Sequence, residues 1–171
     1  MGIILLRHAP PAAEYHGRYN GHTDIPIDPT LFDETKIAAL AHQKFDRIYA
    51  SDLCRCTETL RRMGMEHFTT DPRLREVRFK PLIEGKSFEQ IERMENFDPR
   101  ALESMESWHA YVCDEPLEMF RERVQSFLEE LPNDETILIC SHGGTIGMIR
   151  SLLDTTPAST PLGYLDHHFL G

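Results

Sequence analysis

Short apolar runs that alternate with amphipathic segments place the strongest constraint on how this chain can fold. Short runs that contain aliphatic, aromatic or β-branched residues predict strands at residues 3–6, 47–51, 67–70, 136–140 and, more weakly, 163–169. Apolar residues at helical spacing predict helices at residues 35–43, 53–63, 117–131 and 145–153. Strands that alternate with helices favour right-handed crossovers and a sheet covered on both faces. The sequence therefore predicts one α/β domain over residues 1–171, a three-layer α/β/α sandwich with a mainly parallel central sheet.

Residues 77–116 do not follow this alternation. The segment is polar, rich in Glu and Met, and carries only fragments of helical pattern. An insertion of this kind between core elements can be a lid over a site. A solvated loop with short helices explains the same pattern equally well, so both interpretations stay open.

Cationic and donor groups follow two of the predicted strands. Arg7 and His8 come directly after the first strand, in "LLRHA", and His142 and Gly143 follow "ILICS". Ligands of open α/β sheets bind at the carboxyl ends of the strands. Guanidinium forks match phosphate oxygens, and backbone N–H groups at a helix N-terminus bind anions. We therefore expect these residues to form one pocket for a small anion.

The predicted helix at residues 53–63 adds a third cationic group. Ser51 or Asp52 is placed to cap this helix, and Arg55 then lies in its first turn. A cation there is unfavourable for the helix dipole alone. The position of Arg55 is explained if an anion binds nearby.

An acid beside a phosphate pocket can give a proton to a leaving oxygen. Glu76, in "LRE", is the leading candidate by position. Sequence spacing alone does not separate it from Glu84 or Glu14.

Composition limits the partners and the compartment. The net charge of −10 argues against a nucleic-acid or anionic-membrane surface. The four cysteines show no CxxC pair, and the first apolar run is too short for a signal sequence or a membrane span. We therefore expect a cytoplasmic protein without nucleic-acid or membrane partners. The oligomeric state is not readable from the sequence.

The segments "LLRHA", "SDLCRCTETL", "LRE" and "CSHGG", in this order, resemble the histidine phosphatase superfamily, which includes the cofactor-dependent phosphoglycerate mutases. The resemblance covers nearly the whole chain and implies a phosphoglycerate mutase-like fold. It implies that His8 is the nucleophile and forms a phosphohistidine. Arg7, Arg55 and His142 would hold the phosphoryl oxygens, and Glu76 would be the proton donor. Neither a metal nor another cofactor is expected for this chemistry.

Further segments match the family in part. "GRYNGHTDIPID" resembles a family segment that lines the pocket, so His22 and Thr23 are candidate substrate-binding residues; a turn that packs Ile25 and Ile27 is the alternative. Glu14 replaces the asparagine that the family commonly has six positions after the nucleophile. Glu118 matches a family glutamate, without a role that the sequence assigns.

Three functions are compatible with this pattern. The first is a metal-independent phosphomonoesterase acting on a small phosphorylated metabolite, since "RHA" and "GHTD" resemble the compact phosphatase branch, which includes α-ribazole phosphatase. The second is phosphoryl transfer of the phosphoglycerate mutase type, although the chain ends soon after the last predicted strand, which favours hydrolysis. The third is a catalytically silent phosphate-binding module. Dephosphorylation of phosphohistidine proteins is a further variant of the first.

Overall fold

The computed structural model describes residues 2–153 and 160–171, which form one five-stranded sheet with helices around it. The strands are β1 (Gly2–Arg7), β2 (Arg47–Ala50), β3 (Thr69–Thr70), β4 (Thr136–Ser141) and β5 (His167–Leu170). Their order across the sheet is β3-β2-β4-β1-β5. The first four are parallel to their neighbours, and β5 pairs antiparallel with β1 at the edge. The predicted, mainly parallel sheet is confirmed.

Six α-helices lie in the described ranges. They are α1 (Glu34–Ala41), α2 (Cys54–Arg62), α3 (Phe88–Glu92), α4 (Met105–Val112), α5 (Leu117–Glu129) and α6 (Gly143–Leu153). The four helices predicted from apolar spacing correspond to α1, α2, α5 and α6. None of the helices in the described ranges is long and apolar enough to cross a membrane.

The sheet separates two apolar cores. In β1, Ile3 and Leu5 face the core that contains Phe120 and Phe127 of α5, together with residues of α6. Successive strand residues point to opposite faces, so Ile4 and Leu6 lie in the second core. That core contains buried residues of α1 and α2, including Ile37, Leu40 and Leu60. Helices therefore cover both faces, and the α/β/α sandwich is confirmed.

Two predicted strands are longer than the observed ones by two residues or more. The 67–70 strand is reduced to Thr69–Thr70, because only Tyr49 and Ala50 of β2 pair with it. The 163–169 strand begins only at His167, because residues 163–166 form a turn. In that turn the N–H of Gly163 donates to the Asp166 carboxylate (2.8 Å), and Leu165 has a φ of 60°.

The 77–116 segment contains α3, a 3₁₀ helix (Pro99–Leu102) and α4. It buries Ile83, Ile91 and Val112 in the first core, so it is more than a solvated loop. Isolated antiparallel bridges join Phe79 to Cys113 and Arg18 to Ser87. The second bridge holds the segment beside the loop that follows β1.

Candidate active site

The carboxyl ends of β1, β2 and β4 meet at one edge of the sheet. In the parallel register Arg7 lies opposite Ser141, and Ala50 lies opposite Cys140. The next residues along the chain are therefore His8, Ser51 and His142. The rings of His8 and His142 are 5.1 Å apart, centroid to centroid, in an edge-to-face arrangement. Two segments that are distant in sequence thus supply adjacent imidazoles.

A cavity of about 110 Å³ opens at this edge. Six residues predicted from the sequence line it: Arg7, His8, Arg55, Glu76, His142 and Gly143. The structure does not bring His22 or Thr23 to its wall.

His8 is buried, with 5% of its surface exposed, and its ring has a defined tautomer. Its Nδ1 lies 2.7 Å from the carbonyl oxygen of Ala9, an acceptor, so Nδ1 carries the proton. In the neutral ring Nε2 therefore keeps its lone pair. Burial lowers the pKa of His8 well below 6.5, and the charges of Arg55 and, to a smaller extent, Arg7 lower it further, against the bond to Ala9. The ring is neutral, as a nucleophile requires.

Arg7 is held at the cavity by the chain segment that precedes β5. Its Nη1 donates to the carbonyl of Leu162 (2.6 Å), and its Cζ lies 4.3 Å from the centroid of the Tyr164 ring, a cation–π contact. Its Nε is buried and has no hydrogen-bond partner among the described residues. The guanidinium is thus fixed in place, and its Nε–H is not used by the part of the chain that the structure describes.

Arg55 is 2% exposed and lies in the first turn of α2, as predicted. Its Nη1 donates to the carbonyl of Thr23 (2.9 Å), and its Nη2 donates to the carbonyl of Gly21 (2.7 Å). Its Nε donates to Nδ1 of His142 (3.1 Å). These neutral acceptors fix the guanidinium, and none of the ion pairs within the described part of the chain includes Arg55. Its buried charge is therefore available to an anion in the cavity.

His142 is 1% exposed, and both ring nitrogens have partners. Because Arg55 is always a donor, Nδ1 of His142 is the acceptor, and its Nε2–H donates to Oγ of Ser51 (2.8 Å). Burial lowers the pKa of His142 well below 6.5, and the Arg55 charge adds to this effect. His142 therefore orients Arg55 in this state. A direct bond from its ring to a phosphoryl oxygen requires one of the two existing bonds to break.

Glu76 lies at the N-terminus of α6. Its carboxylate accepts hydrogen bonds from the N–H groups of Val77 (3.0 Å), Gly144 (2.9 Å) and Thr145 (3.1 Å). Acceptor groups at a helix N-terminus satisfy otherwise unpaired N–H groups. This cap comes from a residue distant in sequence. It explains why α6 begins at Gly143 rather than at residue 145, the start predicted from the sequence. A Cβ at position 144 would lie 2.5 Å from Oε1 of Glu76, so the close approach requires glycine.

Side chains from three elements hold the loop that carries Glu76. Ser141 Oγ donates to the Leu74 carbonyl (2.8 Å), and Thr145 Oγ1 donates to the Arg75 carbonyl (2.7 Å). His22 Nε2 donates to the carbonyl of Glu76 itself (2.8 Å). The Glu76 backbone is thus fixed relative to both β4 and α6.

The "GHTD" segment supports the site from outside the cavity. His22 contacts the Glu76 carbonyl, and Thr23 contacts Arg55 through its backbone carbonyl. Asp24 Oδ1 accepts from the N–H of Cys54 (2.7 Å) at the start of α2. The segment therefore positions the Glu76 backbone through the His22 ring, and Arg55 through the Thr23 carbonyl.

The capping of α2 differs from the sequence prediction. The prediction that Asp52 caps this helix is wrong, because its carboxylate pairs with Arg75 (2.6 Å). Ser51 accepts only a long bond from the Leu53 N–H (3.3 Å), while its hydroxyl also contacts His142. The cap comes instead from Asp24, which is distant in sequence.

Seven lining residues were not singled out from the sequence as binding groups: Pro11, Arg18, Tyr19, Asn20, Ile25, Phe79 and Tyr164. Arg18, Tyr19 and Asn20 belong to the "GRYNGHTD" segment, whose family resemblance was the available signal. Phe79 comes from the 77–116 segment, and Tyr164 from the turn before β5. No local pattern marks either of these two.

The other acidic candidates lie elsewhere. Glu14 and Glu84 line an adjoining cavity rather than the one that contains His8. Glu118 is exposed in the first turn of α5. Over the described ranges, no group of three or more histidine, cysteine or acidic side chains is arranged to hold a metal ion.

Comparison with known proteins places this site in a family. The sequence profile of the histidine phosphatase superfamily (branch 1) matches residues 3–166. The chain belongs to this superfamily. A putative phosphoserine phosphatase 2 of Hydrogenobacter thermophilus is 31% identical over 159 residues, covering 88% of this chain and 77% of that protein. An adenosylcobalamin/alpha-ribazole phosphatase of Salmonella typhimurium is 27% identical, with 94% and 83% covered. Such relatives support phosphatase activity for this histidine phosphatase family member.

Solved structures agree on the fold. A phosphoglycerate mutase from Thermus thermophilus superposes with a TM-score of 0.67 at 26% identity, covering 94% of this chain and 89% of that one. A phosphoserine phosphatase from Entamoeba histolytica gives a TM-score of 0.76 at 24% identity, covering 98% and 89%. The phosphoglycerate mutase-like fold implied by the sequence motifs is confirmed.

Proposed function

We propose that this chain is a metal-independent phosphomonoesterase that hydrolyses a small phosphorylated metabolite through a phosphohistidine on His8. The observation that carries the proposal is the hydrogen bond from His8 Nδ1 to the Ala9 carbonyl (2.7 Å). It commits the proton to Nδ1 and leaves Nε2 as the nucleophile, in a cavity that also holds Arg7 and Arg55.

Two half-reactions follow from this arrangement. Nε2 of His8 attacks phosphorus, the bond from phosphorus to the ester oxygen breaks, and Glu76 gives a proton to the departing alcohol. Water then attacks the phosphohistidine, the bond from phosphorus to nitrogen breaks, and Glu76 takes a proton from the water. Phosphoryl transfer depends mainly on positioning and charge stabilisation, which Arg7 and Arg55 would supply through charge-assisted hydrogen bonds.

The surroundings of Glu76 suit the second half-reaction directly. Three backbone N–H groups hold its carboxylate at the wall of the cavity, where it can accept a proton from water. In the first half-reaction Glu76 must carry a proton.

The relatives define the first substrates to test. One is named for phosphoserine phosphatase activity and another for adenosylcobalamin/alpha-ribazole phosphatase activity. We infer that this chain also acts on a low-molecular-weight phosphate ester.

The test is hydrolysis of an aryl phosphate in the presence of a chelator. We expect turnover by the wild-type protein and a loss of at least about a thousandfold in kcat for His8→Ala. His67→Ala, at an exposed position outside the site, is the matched control and should retain full activity. Equal activity of His8→Ala and the wild type would overturn the proposal. Absence of any turnover, with phosphate bound, would instead favour a silent binding module.

Phosphoryl transfer is a second candidate, favoured by the superposition with a phosphoglycerate mutase at 26% identity. It is tested by conversion of 3-phosphoglycerate to 2-phosphoglycerate with a bisphosphoglycerate primer. Release of inorganic phosphate without isomerisation supports hydrolysis. Isomerisation faster than phosphate release supports a mutase.

A further inference from the structure

Arg7 brings a positive charge to the cavity, and the groups that hold it are neutral. Its Nη1 donates to the carbonyl of Leu162 (2.6 Å), and its Cζ lies 4.3 Å from the centroid of the Tyr164 ring. A Cβ at position 143 would lie 3.4 Å from the same Cζ, so Gly143 also packs close to the guanidinium. Among the described residues, no ion pair includes Arg7. The Tyr164 ring is therefore a main side-chain support of this guanidinium.

The carboxylate in the same turn as Tyr164 is paired elsewhere. Oδ1 of Asp166 lies 2.8 Å from Nζ of Lys36, and its Oδ2 accepts from the N–H of Gly163 (2.8 Å). A carboxylate on Arg7 would neutralise the guanidinium and compete with a phosphoryl oxygen for its donors. The face of an aromatic ring attracts a cation through its quadrupole and adds no net negative charge. Tyr164 can thus hold Arg7 while the positive charge remains for a bound phosphoryl group.

The Tyr164 ring also contacts the histidine that we propose as the nucleophile. Its centroid lies 5.5 Å from that of His8, at an interplanar angle of 49°, and 5.2 Å from that of His16. The hydroxyl of Tyr164 makes no hydrogen bond to the described part of the chain, so the side chain interacts through its ring. Tyr164 thus packs against both Arg7 and His8, the two residues at the carboxyl end of β1.

The turn that carries Tyr164 has a backbone conformation that L residues rarely adopt. The next residue, Leu165, has a φ of 60°, and the other residues with positive φ in the described ranges are glycines. In this left-handed region the side chain of a bulky residue is crowded by its own backbone. Strained residues of this kind persist where their surroundings determine them, and they cluster at functional sites. The strain at Leu165 thus points to a function for the turn.

Several contacts keep this turn in its strained form. The Leu165 side chain is buried in the second core. The Leu165 N–H donates to the Arg7 carbonyl (3.1 Å), and the Arg7 N–H donates to the Asp166 carbonyl (3.1 Å). Nζ of Lys36, in α1, donates to the Tyr164 carbonyl (3.0 Å) and to the Asp166 carboxylate (2.8 Å). The turn is therefore tied to the backbone of Arg7, the residue whose guanidinium it supports.

We propose that Tyr164 is a positioning residue for the phosphoryl chemistry. Its ring fixes the guanidinium of Arg7 at the cavity and packs against the ring of His8, and its hydroxyl takes no part. The inference rests on the proposed function, which assigns Arg7 to the phosphoryl oxygens and His8 to the attack on phosphorus. It adds that the turn over residues 162–166 belongs to the active site, because the turn carries this ring.

Steady-state kinetics on an aryl phosphate test the role of the ring. Tyr164→Leu should lower kcat/KM by about tenfold, the effect expected for one partly desolvated cation–π contact. Tyr164→Phe keeps the ring and should stay within about twofold of the wild type. Tyr111→Leu is the matched control, since Tyr111 is also half-buried and its ring lies 5.9 Å from Nζ of Lys80, outside the cavity. This control should retain the wild-type kcat/KM.

A double-mutant cycle tests whether Tyr164 acts through Arg7. Arg7→Gln removes the charge that the ring supports, so adding Tyr164→Leu to it should lower kcat/KM by less than about threefold. Long incubations with the aryl phosphate make the low activity of these variants measurable. Equal falls from Tyr164→Leu with and without Arg7→Gln would overturn the inference. A wild-type kcat/KM in Tyr164→Leu would also overturn it, as would a loss in Tyr164→Phe as large as that in Tyr164→Leu.

Calorimetric titration with inorganic phosphate gives a readout that needs no turnover. The Kd should rise about tenfold in Tyr164→Leu and stay unchanged in Tyr164→Phe. Melting temperatures show whether each variant is folded, and Tyr164→Met, with a flexible apolar side chain, replaces Tyr164→Leu if that variant unfolds. Failure of the wild type to hydrolyse any ester would contradict the proposed function, while the rise in Kd would still support the role of Tyr164. An unchanged Kd in Tyr164→Leu would contradict that role.

Discussion

The carboxylate of Glu84 and the guanidinium of Arg55 hold the same short loop from opposite sides. Glu84 accepts from the N–H groups of Gly21 and Thr23, while Arg55 donates to the carbonyls of these two residues. Through this loop, the position of Glu84 therefore affects the position of Arg55, a buried arginine of the site. The loop also links Glu84, in the 77–116 segment, to the cavity that contains His8.

Glu84 is therefore a positioning residue in this account. Glu84→Ala should lower kcat/KM for an aryl phosphate by about tenfold, because the loop loses two charge-assisted hydrogen bonds. Glu84→Gln should recover most of the activity, since its amide oxygen can accept the same bonds. Steady-state kinetics measure both values. Glu89→Ala, at an exposed position of α3, is the control. Equal losses in Glu84→Gln and Glu84→Ala would argue against a role through these hydrogen bonds.

Gly144 lets Glu76 approach α6, and a side chain there should displace the carboxylate. A Cβ at this position would lie 2.5 Å from Oε1 of Glu76. We expect Gly144→Ala to reduce kcat by about a hundredfold, the usual scale of a misplaced acid–base group. Gly147→Ala, in the same helix, meets nothing within 4 Å. It should keep its activity and gain about 0.5–1 kcal/mol of stability. Similar activities for the two variants would contradict the assigned role of Glu76.

The protonation of His8 gives a pH prediction with a definite sign. Burial, assisted by Arg55, lowers the pKa of His8 well below 6.5. The neutral, nucleophilic ring should therefore persist as the pH falls through 6.5, and the NMR signals of the ring should titrate only at lower pH. Arg55→Gln should move the midpoint upward, because it removes a positive charge. A midpoint at or above 6.5 in the wild type would contradict the neutral-ring account.

The elements that could be predicted from the sequence are those with a periodic pattern of apolar residues. Strand and helix patterns locate β1, β4, α5 and α6, and parallel register then brings His8 beside His142. Contacts between residues distant in sequence leave no such pattern and could not be predicted. The cap of α2 comes from Asp24, thirty positions before Cys54.

The acidic residue of the site could not be identified from the sequence alone for the same reason. Spacing could not separate Glu76 from Glu84 or Glu14, since only the folded chain shows which cavity each one borders. Tyr164 was missed because its contact with Arg7 joins the two ends of the chain. Arg18 was missed because an arginine in a loop is usually solvated, and its place beside the pocket depends on the 77–116 segment.

Trapping the phosphorylated enzyme tests the central claim most directly. The protein is mixed with a ³²P-labelled ester that it hydrolyses, quenched in alkali within the first turnover, and mapped by peptide. The account predicts an acid-labile label on His8. A label on another side chain, or a complete first turnover with no labelled protein at any quench time, would contradict it.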